Sequence, residues 1–470
     1  MLFPTLDFGI FFLIVFFVSW ALRGINLWRK WFLVGASYFF YGYWDWRFCF
    51  LLAISSAVNY VAGVLIQDLP DGAKRQWVLR GAIIFNIGVL GFFKYFEFFL
   101  TSFNDMMLGL GLEREIPLFE IILPVGISFF TFQGVSYVMD VARRDIPASR
   151  SLLDVLLYIS FFPQLVAGPI VRASTLIPQI EAKPDPQRIL MSMGLLLVLL
   201  GLFKKMVIAN YLATEIVDQV FEDPSYYHAF DLLLAIWGYA IQIYCDFSAY
   251  SDIAIGVAAM LGYRFQKNFN QPFRSESIRE LWRRWHISLS TWLRDYLYIP
   301  LGGNRGGPWK ARRNLFLTMF LGGMWHGAAW HFLFWGGLHG VALVIETVLT
   351  HGRQLAKKPL WLGPLLVFYA FNFNCLSFIF FRSEDLSYAF LYLQSFGNFD
   401  LPVMFWTPFL MTLVFGGLAL HFLPEDGLER VERYFRRLPL VVQGGLAGLG
   451  IVAIDAMGPD GVAPFIYFQF

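Results

Sequence analysis

Two short runs in this chain, LWRRWHISLS at residues 281–290 and GGMWHGA at residues 322–328, each place one histidine among tryptophans in apolar surroundings. In the first run His286 follows a pair of arginines, and in the second His326 follows Trp325 directly. An ionisable side chain at membrane depth is costly and by default indicates a functional site. The two histidines are therefore candidate functional residues if the surrounding chain lies in a membrane.

The composition of the chain is that of a membrane protein. Hydrophobic residues make up 57% of the 470 residues, aromatic residues 19% and charged residues only 15%, whereas soluble domains carry about 25% charged residues. The formal net charge of +2 gives no field that would attract nucleic acid, so we expect no nucleic-acid partner. The three cysteines lie far apart and offer neither a disulfide framework nor a metal-ligand pair.

Apolar stretches long enough to cross a bilayer, which needs roughly 20 residues, recur along the whole chain and predict an all-α polytopic membrane protein. We expect about eleven to thirteen spanning or re-entrant segments, the first of them a retained helix without signal-peptide features. No linker separates a second domain, so residues 1–470 are predicted to form one integral membrane domain. The apolar windows lie at residues 6–22, 32–66, 77–100, 121–141, 152–170, 189–212, 229–262, 313–350, 360–381, 404–423 and 439–458.

The basic residues that flank these windows predict how the chain is oriented, because short basic loops stay in the cytoplasm. Arg23, Arg29 and Lys30 follow the first window, so the N-terminus should face outward. A cluster of four arginines at residues 430–437 precedes the last window. The tail of residues 458–470 is therefore also predicted to be extracytoplasmic.

Polar residues interrupt two of the windows. The run from Phe162 to Ile170 holds two prolines and a glycine, which predicts a broken or re-entrant helix that lines a cavity, because lipid-facing backbone cannot be left unpaired. Asp246 and Asp252 are six residues apart, so on a helix they point about 120° apart and cannot act as a carboxylate pair. We expect each to be held by hydrogen bonds between helices.

The run that carries His286 has the pattern of a basic amphipathic helix. Ser277 and Glu280 match a capping box and predict that the helix starts there and continues through His286 to Tyr296. Such a helix more often lies at the membrane interface than in a catalytic pocket. Arg283 and Arg284 could then meet either lipid headgroups, which this pattern favours, or the phosphates of an acyl donor.

The histidines that follow do not form a metal-ligand set. His331 and His339 would lie about 140° and 220° from His326 around one continuous helix, so we expect no metal site. His326 is either a base that activates a hydroxyl group for acyl transfer or a hydrogen-bonded histidine between packed helices. Glycines flank it at positions 322, 323 and 327, and they would let a substrate or another backbone come close.

These runs, together with others spread over most of the chain, resemble the membrane-bound O-acyltransferase family, and most closely its bacterial branch of alginate and peptidoglycan O-acetyltransferases. D-alanyl transfer proteins of teichoic acids are more distantly similar. Ala249 and Gln164 depart from residues that are frequent in this family, but they leave the resemblance intact. The matching runs lie at residues 123–129, 162–170, 246–252, 268–272, 282–298, 301–305 and 322–327.

The resemblance implies a fold, a reaction and a partner. The family fold is a ring of helices around a core thinned from both faces, with a funnel from each side. His326 matches the catalytic histidine and His286 the second histidine of the family. The implied acyl donor is cytoplasmic acetyl-CoA, with no bound cofactor. An extracytoplasmic transferase of the SGNH hydrolase type would place the acetyl group on a polysaccharide. The substrate-binding residues are predicted to be Trp325, Arg283, Arg284, Asn270 and Asp246.

The last seven residues, PFIYFQF, contain four aromatic rings and no charged side chain. Such a tail should fold back into an apolar groove of this protein or of its partner. It resembles the aromatic, tyrosine-containing C-terminal motif of related surface-polymer acyl-transfer systems, in which the tyrosine carries the acyl group. Tyr467 is therefore predicted either to carry the acetyl group, as a third catalytic residue, or only to pack.

Two other classes of protein also fit the polar residues at membrane depth. A transporter of an acyl donor or of a lipid-linked sugar needs intramembrane polar groups and broken helices but makes no covalent bond. A scaffold would only hold the soluble transferase. Acetyl release from acetyl-CoA, abolished in His326→Ala, distinguishes the enzyme from both.

Overall fold

A computed structural model describes residues 1–112, 121–350, 359–459 and 465 of the chain. The described residues fold into helices connected by turns and short extended segments, and no strand occurs among them. The prediction of an all-α protein is confirmed.

Eight helical segments of the described chain are long and apolar enough to cross a membrane, and a ninth is counted if a pair of helices bent by 87° forms one span. Large apolar side chains such as Phe50 and Ile84 are exposed on these segments, as expected for helices that face lipid. The protein is therefore a multi-pass membrane protein. The eight segments are Leu6–Gly24, Arg47–Asp68, Ala73–Gly109, Met191–Glu222, Ala229–Met260, Trp330–Leu349, Leu362–Arg382 and Leu440–Met457.

The described residues divide into two compact units, and the expectation of one undivided domain stays a prediction. The first unit comprises residues 1–189 and 257–265. Its helices are α1 (Leu6–Ala21), α2 (Asn26–Asp45), α3 (Arg47–Asp68), α4 (Ala73–Leu90), α5 (Phe96–Gly109), α6 (Ile127–Arg143), α7 (Leu152–Ser160), α8 (Phe162–Leu165) and α9 (Ala173–Glu181).

The second unit comprises residues 190–256 and 266–470. Its helices are α10 (Met191–Leu202), α11 (Asn210–Leu212), α12 (Asp218–Glu222), α13 (Ala229–Met260, whose last turn belongs to the first unit), α14 (Ile278–Arg284), α15 (Ile287–Leu293), α16 (Pro308–His326), α17 (Trp330–Leu349), α18 (Leu362–Arg382), α19 (Leu386–Ser395), α20 (Pro408–Ala419), α21 (Gly427–Phe435) and α22 (Leu440–Met457). Wider π-helical turns occur at Gly91–Tyr95 in the first unit and at Phe203–Ala209, Ala213–Val217 and Arg294–Tyr298 in the second.

The predicted break near residues 162–170 is present in the first unit. Helix α8 is four residues long, and residues 166–172 are not helical. The chain turns so sharply after α8 that a Cβ atom at Gly168 would lie 2.6 Å from the carbonyl oxygen of Pro163. Only glycine fits this turn without displacing the backbone.

Two of the basic residues used for the orientation lie inside the first unit rather than in a loop. Arg29 is 4% exposed and donates hydrogen bonds to the Tyr263 hydroxyl and the Leu261 carbonyl oxygen. Lys30 forms an ion pair with Asp154 at 2.6 Å. Because both charges have partners in the protein, they are a weaker topological signal than free loop charges, and the orientation stays a prediction.

In the second unit, glycines set the distance between α16 and α17. Cβ atoms at Gly323 and Gly336 would each lie within 3.0 Å of the other helix's main chain. The two helices can therefore approach only where both residues lack a side chain. This close approach lies one turn before His326, the last residue of α16.

Candidate active site

The segment that carries His286 is two helices rather than one. The predicted start is confirmed, because the Ser277 hydroxyl accepts a hydrogen bond from the Glu280 main-chain N–H. The predicted continuous helix is wrong. Helix α14 ends at Arg284, and His286 has φ 43° and ψ 55°, in the left-handed region. A non-glycine residue is uncommon there and is held by its surroundings.

The break has a tertiary cause. The main-chain N–H of Asn270 donates to the Arg284 carbonyl oxygen, and the N–H of Ile287 donates to the Asn268 carbonyl oxygen, both at 2.8 Å. These bonds to a separate segment replace the helical hydrogen bonds on either side of His286. The apolar periodicity of residues 277–296 could not predict these hydrogen bonds, because their partner residues lie outside that window.

His286 is fully buried. Its Nδ1 atom lies 3.3 Å from Oδ1 of Asn268, and its ring packs edge-on against Phe247 at 4.6 Å between ring centroids. Burial lowers the pKa of His286 to about 3, because the charged imidazolium would lose its hydration. The imidazole is therefore neutral, and its Nε2 atom has no hydrogen-bond partner among the described residues.

Trp325 connects the two histidines. Its indole ring packs against the His326 ring at 5.0 Å and against the His286 ring at 5.9 Å between centroids. His326 is 4% exposed and also contacts the rings of Trp335 and Phe381 at 5.1 and 5.3 Å. The fold thus brings both predicted catalytic histidines to one indole ring inside an aromatic wall.

Two buried N–H groups on α17 and α18 have no acceptor among the described residues. They are Nε1 of Trp335 and Nδ2 of Asn374. Trp335 contacts the His326 ring directly, and both residues flank the hydrogen-bonded pair of His339 and Ser377. A buried donor without a partner is costly and often indicates that a ligand completes the site. Neither residue was predicted, because a lone Trp or Asn in an apolar run gives no sequence signal.

The other two histidines of this helical pair have protein partners. His331 Nδ1 lies 2.9 Å from the Phe380 carbonyl oxygen. His339 accepts a hydrogen bond from the Trp282 indole at Nδ1 and contacts the Ser377 hydroxyl at Nε2. These contacts give both residues a structural role. No group of three or more His, Cys, Asp or Glu side chains in the described chain is arranged to hold a metal.

The glycines around His326 make room for protein atoms. A Cβ at Gly323 would meet the α17 main chain, and a Cβ at Gly327 would meet the Phe332 ring. Of the two roles considered for these glycines, the close approach of other protein atoms is therefore the correct one. At these two positions the space beside the glycine is occupied by the α17 main chain and by the Phe332 ring.

Arg284 and Asn270 belong to a polar cluster at the surface of the second unit. Arg284 forms ion pairs with Glu280 at 2.9 Å and Glu425 at 3.0 Å, and Asn270 donates to Glu425. Arg283 is exposed. The side-chain bonds described for Arg284 and Asn270 reach neither His286 nor His326, so the structure does not group them with the histidines.

Asp246 and Asp252 on α13 each pair with a different lysine. Lys205 pairs with Asp246 at 2.8 Å, and Lys204 pairs with Asp252 at 2.5 Å. The prediction that the two aspartates act separately is confirmed, but ion pairs accompany the expected hydrogen bonds. Both lysines lie in the π-helical turn Phe203–Ala209. Two adjacent lysines in an otherwise apolar window indicate that charged partners lie at the same depth. These lysines were not used in predicting the site.

One residue of the aromatic tail lies inside the second unit. Phe465 is fully buried, and its ring centroid lies 4.0 Å from that of Tyr250 and 6.0 Å from that of Phe247. Phe247 is also the residue that packs against His286. The tail therefore reaches the neighbourhood of the second histidine. Tyr467 lies outside the described residues.

Comparison with known proteins identifies the family of this chain. Residues 127–383, more than half of the chain, match the model of the membrane-bound O-acyltransferase family. The chain is 38% identical to the probable alginate O-acetylase AlgI of Pseudomonas aeruginosa over 99% of the chain and 88% of that relative. It is 37% identical to the peptidoglycan O-acetyltransferase of Helicobacter pylori over 80% of the chain and 75% of that relative.

A more distant relative is the teichoic acid D-alanyltransferase of Bacillus subtilis, which is 29% identical over 57% of the chain and 71% of its own length. His286, Trp325, His326 and Trp335 all lie within the residues that match the family model. The chain belongs to the membrane-bound O-acyltransferase family and is an O-acyltransferase.

Proposed function

We propose that this enzyme takes acetyl groups from cytoplasmic acetyl-CoA and delivers them across the bacterial inner membrane for O-acetylation of an extracytoplasmic polysaccharide such as alginate or peptidoglycan. The observation that carries the proposal is the contact of His286 and His326 with one buried indole ring, that of Trp325. The relatives named as alginate and peptidoglycan O-acetyltransferases supply the acyl group and the class of acceptor.

His326 is the general base in this proposal. A neutral imidazole can take the proton of an attacking hydroxyl group, a step that contributes roughly 10²- to 10⁴-fold to a rate. The N–H of Trp335, whose ring contacts His326, is a donor for the carbonyl oxygen as negative charge develops on it. A donor of this kind contributes about 10²- to 10³-fold.

The acceptor inside the membrane is the Tyr467 hydroxyl group. His326 takes the phenolic proton, the phenolate oxygen attacks the thioester carbonyl carbon, and the carbon–sulfur bond breaks. Coenzyme A leaves as a thiol with that proton, and an aryl acetate remains on Tyr467. The burial of Phe465 beside Tyr250 supports a tail that enters the protein near the histidines.

A soluble partner of the SGNH type completes the transfer outside the membrane. Its serine attacks the aryl acetate, frees the phenol and passes the acetyl group to the polysaccharide. This step requires the tail to be extracytoplasmic, and the orientation proposed from the basic residues places both chain termini on that side. It also requires that the partner binds on that face.

The first experiment measures acetyl release from acetyl-CoA by the purified protein. We expect release by the unaltered chain and its loss in His326→Ala. The matched control is His331→Ala, which removes a buried histidine that bonds only a main-chain oxygen in the described chain, and it should retain activity. A transporter or a scaffold would release no acetyl group in either protein.

A second experiment tests the relay. Tyr467→Phe keeps the aromatic ring and removes the hydroxyl group. We expect polysaccharide acetylation to be lost while the partner still binds. Full acetylation in this variant would eliminate Tyr467 as the carrier.

A third experiment tests the two arginines. Arg284 is already paired with two carboxylates, so little positive charge is left for a donor phosphate. We expect the Arg283→Gln/Arg284→Gln variant to bind acetyl-CoA with unchanged affinity. A fall of tenfold or more in that affinity would instead assign the arginines to donor binding.

A further inference from the structure

The side chain of Asn268 links the segment before α14 to the start of α15. It is 1% exposed. Its Oδ1 atom accepts hydrogen bonds from the Ser288 main-chain N–H at 3.1 Å and from the Ser288 hydroxyl at 2.9 Å. Its Nδ2 atom donates to the Ser251 hydroxyl on α13 at 3.0 Å. The same Oδ1 atom faces Nδ1 of His286 at 3.3 Å.

These hydrogen bonds determine which atom of the Asn268 side-chain amide is the oxygen and which is the nitrogen. A main-chain N–H can only donate, so the amide atom that faces the Ser288 N–H must be the oxygen. The Ser288 hydroxyl lies 3.5 Å from Nδ1 of His286, but it donates its hydrogen to Oδ1 at 2.9 Å. A carbonyl oxygen can only accept, so the hydrogen between Oδ1 and Nδ1 of His286 is carried by Nδ1. A neutral imidazole has one N–H, and Nε2 is consequently left with a free lone pair.

The surroundings keep this imidazole neutral and leave Nε2 open. The His286 ring contacts the rings of Phe247, Phe269 and Trp325, none of which can protonate it. Burial holds the pKa of His286 at about 3. The ionisable groups on the elements packed around it include His326, which lies beyond Trp325. Others are Tyr244, Cys245, Asp246, Tyr250 and Asp252 on α13, the exposed Lys267 beside Asn268, and Arg279, Glu280, Arg283 and Arg284 on α14. Asp246, Asp252, Glu280 and Arg284 of this set are held in ion pairs.

We propose that Asn268 is a positioning residue that holds His286 in the tautomer with hydrogen on Nδ1, so that Nε2 accepts a hydrogen bond from a polar hydrogen of the reacting ligands. The inference rests on the proposed function and deepens it, because it gives the second histidine a defined chemical state. The ligand group is an O–H or N–H, supplied by the acceptor hydroxyl or by an amide of the acyl donor.

The informative variant is Asn268→Asp. A carboxylate still accepts from both Ser288 donors, and the Ser251 hydroxyl can rotate to donate to it. However, a negative charge facing Nδ1 favours the imidazolium and raises the pKa of His286, by about 1–3 units for a close opposite charge. Below the raised pKa, Nε2 is protonated and can no longer accept a hydrogen bond. Activity is therefore lost as pH falls.

The pKa of His286, about 3 in the unaltered chain, then becomes about 4 to about 6. We expect the rate of acetyl transfer by Asn268→Asp, divided by that of the unaltered chain, to fall between about pH 8 and about pH 4, by about twofold at the lower pKa and about a hundredfold at the higher. A purely structural role for Asn268 would give the same deficit at every pH, and that result would overturn the inference. Asn268→Ala should lose at least tenfold in rate without this pH trend. The matched control is Asn314→Ala, because Asn314 is equally buried and hydrogen-bonds no histidine in the described chain. Its Nδ2 atom donates to the Leu301 and Gly303 carbonyl oxygens, and its Oδ1 atom accepts from the neighbouring Arg313.

A spectroscopic measurement tests the tautomer without any turnover. The full-length protein is labelled with ¹⁵N-histidine and measured by NMR. The His286 signals are assigned as those that disappear in His286→Gln. Nε2 of His286 should show the chemical shift of an unprotonated nitrogen. A hydrogen on Nε2 would overturn the inference. If the unaltered chain released no acetyl group from acetyl-CoA, the proposed function would fail, while this measurement would still test Asn268.

The affinity for acetyl-CoA identifies the ligand group. A tenfold weaker affinity in Asn268→Ala assigns the polar hydrogen to the donor. An unchanged affinity with slower transfer assigns it to the acceptor hydroxyl. Unchanged affinity and unchanged transfer together would overturn the inference.

Discussion

Two adjacent glycines of α17 offer a matched test of how the helix packing positions His326. A Cβ added at Gly336 would lie 2.5 Å from the Met319 carbonyl oxygen and 2.9 Å from the Gly323 Cα. A Cβ added at Gly337 would meet only one ring atom of Phe320, at 3.8 Å. The first substitution therefore strikes the main chain of α16, whereas the second makes an ordinary van der Waals contact.

The size of the effect follows from these distances. Non-bonded carbon atoms prefer separations of about 3.5–4.0 Å, so Gly336→Ala must push α16 and α17 apart by roughly 1 Å. Overpacking of this kind costs about 1–3 kcal/mol in the free energy of unfolding. Gly323, which faces Gly336, lies one turn before His326, and a misplacement of about 1 Å in a reacting group can slow a reaction roughly 10²-fold.

The assay combines thermal unfolding of the detergent-solubilised protein with acetyl release from acetyl-CoA. Gly336→Ala should unfold at a lower temperature than the unaltered chain and lose most of its activity. Gly337→Ala should match the unaltered chain in both measurements. If the two variants behaved alike, the close packing of α16 on α17 would not be what positions His326.

Three further substitutions test the site. His326→Ala should leave a folded, membrane-inserted protein whose acyl transfer is slower by roughly 10²- to 10⁴-fold, and activity within a few-fold would mean that another residue is the base. Trp335→Phe keeps an aromatic ring against His326 and removes the N–H donor. We expect kcat to fall about 10²-fold with KM nearly unchanged. A rise in KM alone would show that the indole N–H binds the substrate in its ground state. Lys205→Met leaves the carboxylate of Asp246 without its ion-pair partner, which typically lowers the free energy of unfolding by about 3–5 kcal/mol. The double variant Lys205→Met/Asp246→Asn should recover much of this loss. No recovery would show that the unpaired carboxylate is not what destabilises Lys205→Met.

The sequence was sufficient for the features that depend on local pattern. The apolar windows predicted a helical membrane protein, the prolines and glycine near residues 162–170 predicted a broken helix, and Ser277 predicted the start of α14. Each of these three features depends on the types of residues that lie close together in the sequence. The family resemblance supplied the expected roles of the two histidines.

The geometry around the histidines depends on contacts between distant residues, and the sequence could not supply it. The break at His286 is caused by hydrogen bonds with the main chain of Asn268, which accepts, and of Asn270, which donates. Both residues lie outside the helical window. Asn270 was predicted to belong to the site, but the asparagine whose side chain contacts His286 is Asn268. Both asparagines occur in the same short run, so only the fold distinguishes them.

The two ion pairs on α13 explain why charged residues are kept at this depth. Replacing a buried ion pair with apolar side chains often leaves a protein equally stable, so such a pair is weak evidence for stability. Its partners must nevertheless meet, because either charge left alone would be costly. Lys204 and Lys205 each pair with one aspartate, and together these pairings restrict how α13 can rotate and slide against the π-helical turn. Phe247, which follows Asp246 directly, is thereby held against the His286 ring at 4.6 Å and near Phe465. The ion pairs thus hold in place the side of the candidate active site that Phe247 forms. We expect them to affect the position of Phe247 against His286 more than the free energy of unfolding of the whole protein.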